Sequence, residues 1–430
     1  LASNPDGFVG HWLIDLMRMG TKFIVMDPAL TWLASKADIW IQVRPGTDCA
    51  LAMGMLRVIV DEDLYDHDFV DNWCYGFDEL VERLQDYPTD KVAEICWIPE
   101  QQIYDAARMF AAAKPGAIQW GLAIDMQIAA MEASFAISDI TALCGNLDVP
   151  GGNVLVRYAY NSSKKYGCGL EFISQEMLDR RIGTDQSPIH KAGYTPFIPP
   201  DLLLEAMETG EPYPIKAMFM MQNNAIACMG AQPQRILPAL QKMEFNVVVD
   251  LFLTPTALAC ADVLLPAACF AERIGITGHQ PYALGAIAQA VEPLGECKSD
   301  QRIIYETGSR FTDEAHKKWD DEQGFYDYLL RSTGFTYDSL KERAWAYPEF
   351  EYRKYEKGLL RPDGTPGFAT STGRYNFYCP EMLHFGLSPL ADYEEPPESP
   401  VSAPELAEKY PLVLTTGARP WGFFHSEHRQ

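Results

Sequence analysis

Two acidic residues stand where an apolar strand gives way to a turn: Asp27 after Lys22-Phe-Ile-Val-Met26, and Asp250 after Phe245-Asn-Val-Val-Val249. A carboxylate beyond the carboxyl end of a parallel strand can accept two hydrogen bonds. They can come from ribose hydroxyls or from the amino and ring N–H groups of guanine. Asp48 offers the same chemistry at a helix start, in the turn Arg44-Pro-Gly-Thr-Asp48 that also carries Gly46. A lone strand-end aspartate more often caps a turn or a helix, but here the pattern recurs. Asp27 is followed by Thr31, Ala37-Asp38, a short apolar strand and Pro45; Asp250 is followed by Thr254, Thr256, Ala261-Asp262, an apolar strand and Pro266. Chance similarity between two α/β segments would leave two unrelated turns. A genuine repeat calls for two nucleotide-ended ligands, or one ligand with two such ends.

Other polar residues fall at strand ends. In Gln119-Trp-Gly-Leu-Ala-Ile-Asp-Met-Gln127, Gly121 would let backbone approach a ligand, and Gln127 could pair with the donors and acceptors of a heterocycle. A plain glycine turn with exposed polar neighbours fits the same residues. Gln222-Asn223-Asn224, after an expected strand at Ala217–Met221, carries the same two readings. Gly145-Asn-Leu-Asp-Val-Pro-Gly-Gly152 is glycine-rich but follows a helix rather than a strand. With neither G-x-G-x-x-G nor a Walker Lys-Ser/Thr loop, an ordinary NAD-dependent dehydrogenase is disfavoured. His425 and His428 stand three apart, as helical metal ligands do, but no third ligand accompanies them; aromatic packing and anion contacts from Arg419 and Arg429 are preferred. Of ten cysteines the closest pair, Cys260 and Cys269, is too far apart for C-x-x-C, so scattered, reduced, mostly buried thiols are expected.

These residues must be held by an alternation of strand and helix. Strands are expected at Lys22–Met26, Ile39–Val43, Ala117–Trp120, Ala217–Met221 and Phe245–Val249. Helices are expected at Cys49–Val60 with Asp48 as N-cap, Pro99–Ala113, Met131–Cys144, from Asp201 as cap to Gly210, and Pro233–Met243. Residues 320–355 read as helical and polar, and Glu394–Glu405, with four prolines, as a linker. Such alternation implies α/β architecture with doubly wound, Rossmann-like, mainly parallel sheets. The 430 residues leave room for two or three domains. A net charge of −24 opposes nucleic acid and anionic lipid. No uninterrupted apolar run approaches the roughly 20 residues of a membrane helix. Neither nucleic-acid binding nor direct membrane insertion is expected. The last stretch opens a strand at Pro411–Thr416 and stops, so the chain reads as a piece of a longer one.

Taken together, these residues resemble the molybdopterin oxidoreductases of the dimethyl sulfoxide reductase family. The resemblance implies that Asp27 holds the ribose and Asp48, with Gly46 in the same run, the guanine of one molybdopterin guanine dinucleotide. Asn4-Pro5 is similar to a family turn just upstream, Gly121 and Gln127 to the glycine and glutamine near that pterin, and Gly145-Asn146 to Gly152 to a Gly-Asn…Pro-Gly-Gly signature. Asn223, Asp250 and Thr254 resemble the second guanosine site, although the family usually has Asn-Pro where Asn223-Asn224 stands. Ala261–Pro266 and Glu272–Thr277 resemble the segment that follows. Thr416, Gly417, Arg419, His425 and Ser426 resemble the start of a β-barrel that clamps both pterins.

By this resemblance residues 1–152 form the first half-site domain, 153–400 the second, and 401–430 the beginning of the barrel. The implied cofactor is bis-molybdopterin guanine dinucleotide with Mo or W, and the implied reaction is two-electron or oxygen-atom transfer on a small-molecule substrate. A 4Fe–4S cluster and the Ser, Cys or selenocysteine metal ligand would precede Leu1, and an iron–sulfur electron-transfer subunit would be the partner. No catalytic residue or metal ligand is assigned within the chain, and the piece alone is expected to be inactive. Two alternatives stand beside this reading: a scaffold relative, as in the large subunit of respiratory NADH dehydrogenase, and a non-redox hydratase on the same scaffold.

Overall fold

The computed structural model describes residues 8–155, 173–186, 198–228, 233–279, 283–312, 319–347 and 351–415. It is a mixed α/β structure whose described strands form small sheets, three of the four parallel. The chain divides into two compact units, residues 1–155 with 351–430 and residues 156–350.

In the first unit, Ile24–Met26 (β1) and Ile39–Ile41 (β2) pair in parallel, Ile24 opposite Ile39. β1 is shorter than the expected run because Phe23 turns its backbone to Asp38, donating to its carboxylate at 2.9 Å and accepting its N–H at 2.9 Å. Helix α1 (Asp48–Asp61) follows, and every residue from Cys49 to Leu56 is buried. A helix apolar all round has to be surrounded, and α2 (Thr89–Cys96), α3 (Glu100–Ala112) and α4 (Ala130–Leu143) pack about it. Gly54 makes one of these contacts feasible, since a Cβ there would lie 2.8 Å from Val92 Cγ1. The strand expected at Ala117–Trp120 does not form; these residues run outside any sheet.

Residues 351–400, expected with the second domain, return to this first unit. The Lys354 ammonium, 4% exposed, is held by Asp148 at 2.5 Å and by the Glu351 carbonyl at 2.7 Å, a pairing that a buried charge requires. Buried Arg44 makes a two-pronged pair with Glu395 at 2.6 and 2.8 Å. Part of the expected linker is therefore packed structure. The two-residue strands Cys74–Tyr75 and Tyr375–Asn376 complete the return.

In the second unit, Ala217–Met221 (β3), Phe245–Asp250 (β4) and Val263–Pro266 (β5) form a parallel sheet in that order. Central β4 buries Asn246 through Val249, the continuous burial expected of an inner parallel strand. The helix Pro200–Thr209 starts after Pro199, with Asp201 in its first turn rather than at the cap. Residues 320–355, expected to be helical, hold two short helices, Glu322–Leu330 and Tyr337–Arg343, started by Asp321 and Thr336. Among the described residues no helix is long and apolar enough to cross a membrane.

Candidate cofactor-binding site

Asp27 directly follows β1, its N–H still reaching the Ile41 carbonyl at 3.1 Å. Its Oδ1 accepts the Ala29 N–H at 2.8 Å, closing an Asx turn. Its Oδ2 has no hydrogen-bond partner among the described residues. Asp48 is not the N-cap that the sequence suggested. Thr47 takes that position and spends its hydroxyl on the Arg44 carbonyl at 2.7 Å, which leaves Asp48 as the first residue inside α1. Freed from capping, the half-buried Asp48 carboxylate stands at a helix N-terminus, where the helix dipole favours negative charge. Its Oδ2 accepts Gln127 Nε2 at 2.7 Å. Burial raises the Asp48 carboxyl above the usual carboxylate range, the Gln127 hydrogen bond pulls the other way, and the nearby charge of Asp27 adds to the rise. Asp48 and Gln127 thus meet from separate segments, and the charge of Asp27 reaches Asp48. Gly121 has nothing among the described residues within 4 Å of where a Cβ would sit. Gly46, at φ +83°, faces Pro396, which would lie 2.7 Å from an added Cβ; that side is already occupied by the protein.

The acceptors left over, Asp27 Oδ2 and Asp48 Oδ1, suit a partner rich in donors, such as a ribose diol or the N–H edge of guanine. Large apolar side chains in the same segments, Leu30, Leu122, Met126 and Ile128, are exposed; Met126 is 83% exposed.

At the second position, Asp250 ends β4 and is half-exposed. Its Oδ1 accepts the Phe252 N–H at 3.2 Å, and its Oδ2 has no partner among the described residues. Thr254 is committed elsewhere: it is 4% exposed and caps helix α5 (Pro255–Cys260), accepting the Ala257 N–H at 3.2 Å. Asn223 is exposed, whereas Asn224 is buried and accepts from the Thr256 hydroxyl at 2.8 Å. Of the two asparagines, Asn224 is therefore the scaffold and Asn223 the available one. Gln222 donates to Asp300 at 2.5 Å, a pair the sequence reading did not single out. Its only sequence signal is Ser299-Asp300 at a helix start.

The glycine-rich run is packed rather than open. Gly145 (φ +65°) abuts Asp66, Gly151 (φ +79°) abuts Pro115, and an added Cβ at Gly152 would meet the Asn146 carbonyl. Among the described residues no group of three or more His, Cys, Asp or Glu side chains is arranged to hold a metal. Cys49, Cys74, Cys96 and Cys144 are buried, and burial pushes the Cys96 thiol to about 11 and the Cys144 thiol to about 12, far from thiolate chemistry at neutral pH. Asn4, Thr416, Gly417, Arg419, His425 and Ser426 lie outside the described residues.

Comparison with known proteins identifies the class. The family model described as Molybdopterin oxidoreductase matches residues 10–309, and the chain belongs to that family. More particularly, it is 35% identical to acetylene hydratase of Syntrophotalea acetylenica, across 96% of this chain and 59% of that protein. Formate dehydrogenase H of Escherichia coli (strain K12) is 28% identical, across 95% of this chain and 55% of that protein. The solved structure of acetylene hydratase from Pelobacter acetylenicus matches with a TM-score of 0.88 at 32% identity, over 98% of this chain and 60% of that one. The chain thus spans 55–60% of the length of these relatives.

Proposed function

We propose that this chain supplies guanosine-binding half-sites of a molybdopterin enzyme, and that the whole protein adds water to a small unsaturated molecule without net electron transfer. The meeting of Asp48 and Gln127, with the charge of Asp27 reaching Asp48 and Gly121 in the same segment as Gln127, carries the first part. In this reading Asp27 takes the ribose and Asp48 the guanine of one molybdopterin guanine dinucleotide. Asp250 and Asn223, at the ends of neighbouring strands, take the guanosine of a second. Thr254 shapes the turn that presents Asp250. Asn4 contributes upstream, and Thr416, Gly417, Arg419, His425 and Ser426 from residues 401–430 as the start of a barrel. The small parallel sheets are then parts of two doubly wound halves. When bound, the paired cofactor would supply a Mo or W centre with Lewis-acid and redox capability. The work of this chain is to bind and orient its nucleotide tails.

Hydration is supported by the higher identity to acetylene hydratase, 35% against 28% for formate dehydrogenase H. In such a reaction the water oxygen bonds one carbon of the triple bond and a proton the other; the enol tautomerises to an aldehyde, and no electron acceptor is consumed. The likeness to formate dehydrogenases favours a second reading, two-electron or oxygen-atom transfer. That reading calls for a 4Fe–4S cluster in a preceding segment and an iron–sulfur partner subunit. Full-length protein prepared anaerobically and given acetylene with no electron acceptor should form acetaldehyde. Formate-dependent reduction of a viologen dye, with no aldehyde from acetylene, would replace hydration by the second reading.

A further inference from the structure

We infer that Asn153 is a positioning residue for the first half-site: its side chain supplies the pairing that no strand among the described residues gives residues 117–120, and so sets where Gly121 and Gln127 lie. This rests on the reading of Asp48 as a guanosine contact that Gln127 holds in place. The residues Ala117, Gln119 and Trp120 are exposed and pair with no strand. One side chain holds the segment. The Ile118 N–H donates to Asn153 Oδ1 at 2.8 Å, and Asn153 Nδ2 donates to the Ile118 carbonyl at 2.8 Å. A carboxamide offers one donor and one acceptor side by side, as a strand's edge does across two rungs. No other hydrogen bond from residues 117–120 to the rest of the protein occurs among the described residues.

Asn153 is itself fixed from behind. Its N–H donates to the Asn146 carbonyl at 2.9 Å, and its carbonyl accepts the Asp148 N–H at 2.6 Å. Asp148 is locked in turn by Lys354, whose N–H and ammonium both reach its carboxylate. A chain of short contacts therefore runs from a buried ion pair through Asn153 to Ile118. Three residues later comes Gly121, and the same segment ends in Gln127, whose amide grips Asp48. Leucine has nearly the shape of asparagine but neither hydrogen-bonding group. Aspartate would set a carboxylate against the Ile118 carbonyl.

The experiment uses full-length, anaerobically prepared protein carrying Asn153→Leu, with Asp48→Ala alongside. Asn153→Leu should leave one cooperative melt and speed amide exchange across residues 117–121 roughly tenfold. It should also lower the GMP released by acid hydrolysis from two equivalents towards one. A merely structural role would lower the melt and both equivalents together, and that result overturns the inference. Full GMP in Asn153→Leu alone also overturns it. Full GMP in both variants instead sinks the half-site reading. Should Asn153→Leu fail to fold, exchange in the unsubstituted protein decides. An Ile118 amide protected between freely exchanging Gln119 and Trp120 is the expected pattern; an unprotected Ile118 amide overturns the inference.

Discussion

The turn after β1 and the turn after β4 use the same three devices. Asp27 and Asp250 each close an Asx turn, on Ala29 at 2.8 Å and on Phe252 at 3.2 Å. Thr31 and Thr254, four residues on, each accept an N–H three residues further, from Ala34 and from Ala257, both at 3.2 Å. Asp38 and Asp262 each clamp the base of the strand pair. Asp38 accepts the Phe23 N–H at 2.9 Å and Asp262 the Asn246 N–H at 2.7 Å, and each returns its own N–H to the same residue's carbonyl. These are needs of the backbone, because a short parallel pair must satisfy its end groups somehow. The recurrence of Thr and Ala-Asp therefore identifies a scaffold used twice. It says less about ligands than the sequence suggested. What points to chemistry is the acid–amide pair beside each turn, Asp48–Gln127 at the first and Asp300–Gln222 at the second, together with the one oxygen that Asp27 and Asp250 each keep with no partner among the described residues.

The comparison breaks hardest at the support beneath the first copy. Arg44, just beyond β2, is 3% exposed and paired with Glu395 from the returning segment. Glu395→Gln should leave that guanidinium buried without its counter-charge and cost about 3–5 kcal/mol, read from denaturant melts. Amide exchange in β4 and β5 should stay as it was; a change there would mean the two copies share one support. Hydrogen bonding to Arg44 holds the Glu395 carboxyl down to about 2, against an ordinary 4.5. A lowered carboxyl adds stability that is fully present above its unfolded pKa and is lost as pH falls through the folded one. The first unit should therefore lose this contribution between about pH 4.5 and pH 2, and Glu395→Gln should lack it.

A smaller effect sharpens the functional contrast. In the full-length protein, Asp27→Ala, Asp48→Ala and Asp250→Ala should each weaken nucleotide retention by roughly 1.5–3 kcal/mol per charge-assisted contact. The measurement is GMP released per protein. Asp48→Asn separates binding from folding, because burial already disfavours the charge of Asp48. A carboxyl whose folded pKa is raised costs stability as pH climbs from the unfolded value through the folded one. At neutral pH Asp48→Asn should then melt no lower than the parent while holding less nucleotide. A lower melt with full nucleotide would make Asp48 a structural acid.

Much of this was legible in the sequence, for identifiable reasons. β4 announced itself as Val247-Val248-Val249, a run that only a covered strand tolerates, and α1 as an unbroken apolar stretch behind a turn. Ala117–Trp120 reads as a strand yet forms none, and its partner among the described residues is a side chain; apolar patterning reports burial and says nothing about who supplies the hydrogen bonds. Asp48 lies one residue inside the helix because Thr47, an equally good cap by type, takes the N-cap position, with its hydroxyl on the Arg44 carbonyl. The return of residues 351–400 was invisible for a different reason. It depends on Asp148–Lys354 and Arg44–Glu395, contacts between residues hundreds of positions apart, and single charges carry no label for their partners. The site fared unevenly by the same logic: Asp27, Asp48 and Gln127 could be found by position, but the meeting of Gln127 with Asp48 is a tertiary fact.

Two further tests ask how alike the copies are. Asp38→Ala and Asp262→Ala remove the same clamp, and each should cost about 1–2 kcal/mol through the stranded amide. Equal losses, measured by unit-specific exchange, would confirm one device used twice. A much larger loss at Asp262 would show that the second sheet depends on its clamp where the first has α3 to lean on.

The threonines should differ, and that difference is the finest test of the pair. Thr254 is buried and starts α5, so Thr254→Val strands the Ala257 N–H where water cannot readily replace the hydroxyl. Thr31 is only half-buried and stands two residues before Leu33, the N-cap of a single 3-10 turn, Ala34–Lys36, where solvent can take over its one bond to the Ala34 N–H. Loss of an N-cap costs about 0.5–2 kcal/mol, and Thr254→Val should fall near the top of that range; Thr31→Val, which removes one half-buried turn bond and no N-cap, should cost no more than its lower end. Calorimetric melts of the two variants decide it. Matching losses would mean that burial of the threonine does not govern its worth here, and the distinction drawn between a wet first turn and a dry second one would have to be given up.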